Sequence, residues 1–216
     1  LYALPFSPST QMLYYRRDLF SNALVGRMFV ERFGRELTVP VTFEEYNEVA
    51  SFFTQSLNPD SPVRYGTTLT VGSIAVASSE YLQRLFALQE NLYDENGRVD
   101  MRAPNFVRAL RQLLAARPYA DPNYSPWWRK TVSAFAGGDI AMALLYNNFA
   151  SPLVSYQSKV RDSIGCALIP GGRPVIGGGC LGVSKRSAHP ELALNFIRWL
   201  CSEPIASASA FLGGVS

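Results

Sequence analysis

The segment Ile140-Ala141-Met142-Ala143-Leu144-Leu145-Tyr146 runs for seven residues without a polar break. A strand sends alternate side chains to opposite faces, so a strand of this composition has no face to give to water. It has to lie in a sheet that is covered above and below. The segment is entered through Gly137-Gly138-Asp139 and left through Asn147-Asn148. Two glycines let a preceding helix stop and the chain turn. The amides mark the place where a buried strand gives way to a loop, and loops at strand ends are where sites are built.

The rest of the chain offers the covering layers. Apolar spacing predicts helices from Asp18 to Phe33, over the stretch Val39 to Leu57, from Ile74 to Gln89, from Pro104, through Trp127–Phe135, and from Pro190. The second of these carries a capping box, Thr42 with Glu45 three residues later, and an apolar stripe of Phe43, Tyr46, Val49, Ala50 and Phe53. Phe149 to Ser158 also reads as helical, and Ser207 to Gly214 as a last helical turn. Short strands are predicted at 1–6, ending before the turn-rich Ser7-Pro8-Ser9-Thr10, and at Met12–Tyr15. Others are expected at Arg64–Val71, around Ser163–Gly171, and at Leu181–Val183 behind the glycines 177–179. Asn96-Gly97 between short apolar pieces reads as a hairpin turn. Helices alternating with strands give an α/β fold, and 216 residues suffice for one large domain or two small ones.

Several function classes fall away. The 20 basic and 17 acidic residues leave a net charge of +3, and the basic residues are scattered, so there is no nucleic-acid footprint. The single histidine, His189, sits before Pro190 at a helix start and reads as structural. Cys166, Cys180 and Cys201 are far apart and odd in number; one disulfide or three free thiols both fit, and the second leans toward a reducing compartment or an unselective one. No apolar run approaches the roughly 18 residues that span a membrane. No signal peptide pattern is visible, and the chain opens at Leu1 inside what reads as a strand, so a fragment is expected. Gly177, Gly179 and Gly182 spell a dinucleotide fingerprint, but they precede a strand instead of opening a helix; a close approach to another strand or to a ligand fits better. Asp94, Glu95 and Asp100 surround a turn without an ion-binding loop pattern and read as an exposed acidic turn. No catalytic motif, metal site or cofactor is expected.

The aromatics are the informative side chains. Trp127-Trp128 opens a helix, and Tyr146-Asn147-Asn148-Phe149 closes the buried strand. Aromatic faces cover the apolar side of a sugar ring while amides bond its hydroxyls. Trp128 is expected in the core of its helix, and Tyr146, at the strand end, in a cleft.

Taken in order, YALPF, TQMLYYRRDLF, VPVTFEEYNEVA, YG, DENGRVDMRAP, AFAGGDIAMALLYNN and IPGG…GGGCLGVSKRSAHPELALNFIRWLCSEP resemble the solute-binding proteins of carbohydrate-type ABC transporters, family 1, the group that includes maltose-binding protein. The resemblance covers nearly the whole chain. It implies a periplasmic-binding-protein type II fold, two α/β lobes hinged about a ligand cleft, of which mainly the second is present. Residues 1–168 would form that second lobe, beginning at a hinge strand, and residues 169–216 a partial return into the first lobe. It places Tyr146, Asn147 and Asn148, with Trp127, on the cleft wall, Thr10 and Gln11 at the opposite rim, and Gly72 and Ser73 in a cleft loop. Gly178 and Gly179 would permit close approach beneath the ligand. Tyr146 stands where many relatives carry tryptophan.

The resemblance implies capture of a small solute, a sugar or oligosaccharide, and its delivery to an ABC permease in the membrane. That would be a non-catalytic, extracytoplasmic role, periplasmic or as a lipoprotein at the cell surface. The alternative is the same fold as the ligand-sensing domain of a cytoplasmic transcriptional regulator, in which this segment would not itself touch nucleic acid.

Overall fold

The apolar run forms strand β2 (Met142–Tyr146), and every residue of it is buried. In the computed structural model, which describes residues 3–89 and 91–211, β2 pairs antiparallel with β1 (Leu4–Arg16), with Gln11 opposite Tyr146 and Tyr15 opposite Met142. Leu13 and its partner Leu144 face one core, built with Phe29, Phe43, Tyr46, Val49, Phe52 and Phe53. Tyr14 and its partner Ala143 face the other, with Trp128, Val132, Phe135 and Leu153. The sheet is covered on both sides, as the composition of β2 requires.

Helices α1 (Arg17–Phe20), α2 (Ala23–Phe33) and α3 (Phe43–Phe52) lie on the first face. Helices α4 (Ile74–Leu88) and α5 (Pro104–Ala115) pack against each other through Leu85, Phe106 and Ala109. α6 (Trp128–Ala136) and α7 (Ala150–Leu153) cover the second face. The Thr42 capping box forms: the hydroxyl accepts the Glu45 N–H, and the Glu45 carboxylate accepts from Thr42 and Val41. β3 (Ile164–Leu168) pairs with the C-terminal half of β1, from Met12 to Arg16. β4 (Ile176–Leu181) pairs with its N-terminal half, from Leu4 to Thr10. α8 (Pro190–Leu200) and α9 (Glu203–Phe211) follow.

The structure corrects the sequence expectations at several places. β1 does not stop before Ser7-Pro8-Ser9-Thr10 but runs through it, with a register shift between Pro5 and Ser7. Two prolines are tolerated because this half of β1 is paired only by β4 among the described residues, and a proline needs only to turn its missing N–H away from the partner. The helix expected from Asp18 to Phe33 is two helices, because the Asn22 side chain caps the second by accepting from Leu24 and Val25. Arg64–Val71 is not a strand: it makes only single parallel bridges, Tyr65 to Ile140 and Thr67 to Ala120. The Asn96-Gly97 turn has no flanking strands, since the Asp94 carboxylate takes the N–H groups of Asn96 and Arg98 locally. The helix after Phe149 is only α7, and α9 starts well before Ser207; Leu212–Gly214 of the expected last turn lie outside the described residues. Glycines 177–179 lie inside β4, not ahead of a strand at Leu181–Val183. The apolar side that spacing predicts for α8, Leu192, Phe196, Trp199 and Leu200, is not its buried side: Leu192, Phe196 and Trp199 are exposed while Ile197 is buried.

Candidate ligand-binding wall

At the end of β2 the chain leaves the sheet in a short 3-10 turn, Asn147–Phe149. Tyr146 remains in the core, 8% exposed, with its ring edge-on to the Trp128 indole at 5.2 Å between centroids. The ring also lies against Gly177 of β4: a Cβ there would come 2.8 Å from the ring and 3.0 Å from the Ser9 hydroxyl. Asn147 and Asn148 are exposed. The Asn147 side-chain oxygen accepts the Thr10 N–H at 2.9 Å, which ties β1 to the strand end.

The starts of α4 and α6 stand side by side. Gly72 donates its N–H to the Ser125 carbonyl at 2.9 Å, and the Ser73 hydroxyl donates to the Pro126 carbonyl at 3.0 Å. Gly72 has to be glycine for this approach, because a Cβ would fall 2.7 Å from the Ser125 and Pro126 backbone. One residue further along each segment, Ile74 is 88% exposed and Trp127 is 57% exposed. Val76, on the first turn of α4, joins Trp128 and Tyr146 in the same core cluster, so the helix starts and the end of β2 form one continuous wall.

Of the residues singled out from the sequence, Gly72, Ser73, Trp127, Tyr146, Asn147 and Asn148 come together here. Thr10 does too, but beside Asn147 and not on an opposing rim, because β1 and β2 are neighbours. Gln11 is fully buried and lines the inside of the wall. Gly178 is needed for strand pairing: its φ of 126° is left-handed, and a Cβ would overlap the Ser7 carbonyl oxygen. Gly179 faces open space. Trp128 is in the core, as expected, and Tyr146 is nearly as enclosed, so loss of its side chain costs fold as well as surface. Ile74 is not among the residues singled out, though it carries a signal, an apolar residue directly after a Gly-Ser turn at a helix start; Gly177 does make the close approach to another strand read from its glycine run, and the pairing of β4 with β1 adds that it lies against Tyr146.

The wall residues named here carry no ionisable group except the Tyr146 phenol. Behind them, burial pushes the Tyr14 phenol up, helped by the adjacent Cys166, and burial also raises the Cys166 thiol. All three cysteines are free. Among the described residues no group of His, Cys, Asp or Glu could hold a metal ion, and no helix is long and apolar enough to cross a membrane.

A protein-family model described as bacterial extracellular solute-binding protein matches residues 1–212. The chain belongs to this family. Its mixed α/β fold is shared with solved structures. A solute-binding protein of Agrobacterium radiobacter in complex with ribitol superposes with a TM-score of 0.79 at 23% identity, over 99% of this chain and 52% of that one. Maltose-bound MalE3 of T. maritima gives 0.77 at 23% identity, over 99% and 53%. An Agrobacterium vitis solute-binding protein with bound D-mannitol gives 0.71 at 23% identity, over 99% and 50%. The chain thus spans about half the length of the solved structures it matches. No curated protein sequence matches it.

Proposed function

We propose that the chain contributes one wall of a cleft that binds a neutral polyhydroxylated solute, a sugar or polyol, without chemical change, outside the cytoplasm and for delivery to an ABC permease. The observation that carries this reading is the uncharged surface at the end of β2. Exposed Asn147 and Asn148 offer amide groups directly after Tyr146, whose ring packs on Trp128; the exposed ring of Trp127 precedes that indole in the chain, and Gly72-Ser73 bonds the residues just before it. Hydroxyl-rich ligands need this mixture of amides and an apolar face, and a wall without formal charge gives no counter-ion to a sugar acid or phosphate. Relatives of the same fold hold maltose, ribitol and mannitol.

The division of labour we infer places residues 1–168 in one lobe and 169–216 in a return toward a second. β1 supports it: among the described residues its C-terminal half pairs with β2 and β3 and its N-terminal half with β4. Closure of such a cleft would be a hinge motion driven by the ligand's preference for the closed state.

The test is a thermal-shift and calorimetric screen of the chain with maltose, ribitol and mannitol against glucuronate and glucose 6-phosphate. Neutral compounds are expected to stabilise wild type, and Trp127→Ala to lose most of the effect, about 1–3 kcal/mol of binding. Stabilisation by the charged compounds alone would sink the reading.

A further inference from the structure

α4 buries an ion pair that the wall itself does not use. Glu80 and Arg84, one turn apart, are 1% and 0% exposed, with 2.9 Å between Oε2 and Nη1. The Arg84 guanidinium also lies 4.7 Å from the centre of the Phe43 ring. Stability does not explain a buried ion pair, since well-packed apolar residues in its place often cost nothing.

The reason lies in the segment that enters α4. Thr68–Thr70 is buried but belongs to no strand, so its backbone has no ladder to satisfy it. A buried N–H without an acceptor costs about 1–3 kcal/mol. The Glu80 carboxylate supplies the acceptor: its Oε1 takes the Thr70 N–H at 3.1 Å, while Oε2 takes Gln83 at 2.8 Å and Arg84. Arg84 neutralises a carboxylate that would otherwise stand alone in the core. From the same residue, the Thr70 hydroxyl pairs with the Thr131 hydroxyl of α6 at 2.8 Å. Two and three residues beyond Thr70 come Gly72 and Ser73; three residues before Thr131 comes Trp128.

We infer that Glu80 is a positioning residue: through Thr70 and Thr131 it fixes the start of α4 against the start of α6, and so sets the spacing between Ser73-Ile74 and Trp127-Trp128 on the wall. The inference rests on the proposed solute site for its functional meaning. A wall held by three specific hydrogen-bonding side chains is pre-organised, and a ligand then need not order it on binding.

The experiment uses the whole chain as Thr131→Val, which cuts the tie without changing side-chain shape, Thr131→Ser, which restores the hydroxyl, and Glu80→Gln. Amide exchange is read at Gly72 and at the α6 start, against Leu144 and Phe52 in the core. Binding is read with maltose and ribitol. Thr131→Val is expected to raise exchange at Gly72 and to weaken binding by about three- to tenfold, with Leu144 and Phe52 unchanged. Thr131→Ser restores both, and Glu80→Gln shifts both in the direction of Thr131→Val. A uniform rise in exchange across wall and core would overturn the inference, as would a loosened wall with unchanged affinity. Failure of wild type to bind either probe counts against the solute reading instead, and the exchange contrast then decides whether Glu80 positions the wall.

Discussion

The Trp128 indole meets the Tyr146 ring edge-on, at 84° between planes. One is the first residue of α6 and the other the last of β2, so the contact locks a helix start to a strand end. Tyr146→Ala is expected to cost about 3–5 kcal/mol of stability by leaving a cavity beside the indole. Tyr146→Phe keeps the ring contact and is expected to cost far less. Chemical denaturation of both variants, followed by tryptophan emission, checks this; equal losses would show that the phenol oxygen and not the ring matters.

Gln11 is fully buried, yet among the described residues neither Oε1 nor Nε2 of its side-chain amide has a hydrogen-bond partner. An amide desolvated without partners destabilises, and an apolar residue of similar shape relieves that cost. Gln11→Leu is therefore expected to stabilise the chain by about 1 kcal/mol, seen as a rise in Tm of about 2–4 °C. A fall in Tm would mean that the amide is satisfied.

Gly178 and Gly179 are neighbours with opposite tolerance. Gly178→Ala forces a side chain into a left-handed backbone and onto the Ser7 carbonyl, and is expected to cost about 1–3 kcal/mol. Gly179→Ala meets nothing and is expected to change stability by less than about 0.5 kcal/mol. Urea midpoints of the two variants give the comparison directly.

Burial raises the phenol pKa of both Tyr14 and Tyr46 from the ordinary value of 10.0. In the unfolded chain these phenols ionise near pH 10, while in the folded chain they hold their protons to higher pH. Their contribution to stability is complete below pH 10 and is lost as pH rises beyond it. Tm is expected to be flat from about pH 7 to 9 and to fall above about 10. Tyr46→Phe gives up the hydrogen bond to Thr67 but should lessen the alkaline slope. An unchanged slope would place the sensitive group elsewhere.

Local chemistry carried much of the fold. The unbroken apolar run at Ile140–Tyr146 required a sheet covered on both faces. Thr42 with Glu45 fixed the start of α3 through their own hydrogen bonds, and Pro104 marked the start of α5. These signals need no distant partner. Prolines in β1 misled because a strand rejects proline only where both edges are paired, and the number of paired edges is not local information. Residues 64–71 look like a strand by β-branched content, but no neighbour ladder reaches them; a carboxylate ten residues downstream takes the Thr70 N–H instead.

Local sequence settled the starts of α3 and α5, the two-sided burial of β2 and its uncharged, amide-bearing end, because each depends on spacing and side-chain chemistry within a few residues. Only the tertiary structure decided that Gly72 meets Ser125, that Gly177 lies under Tyr146, and that Gln11 is enclosed. Those relations join residues dozens to more than a hundred positions apart, and their geometry is set by which strands pair and which helices begin side by side.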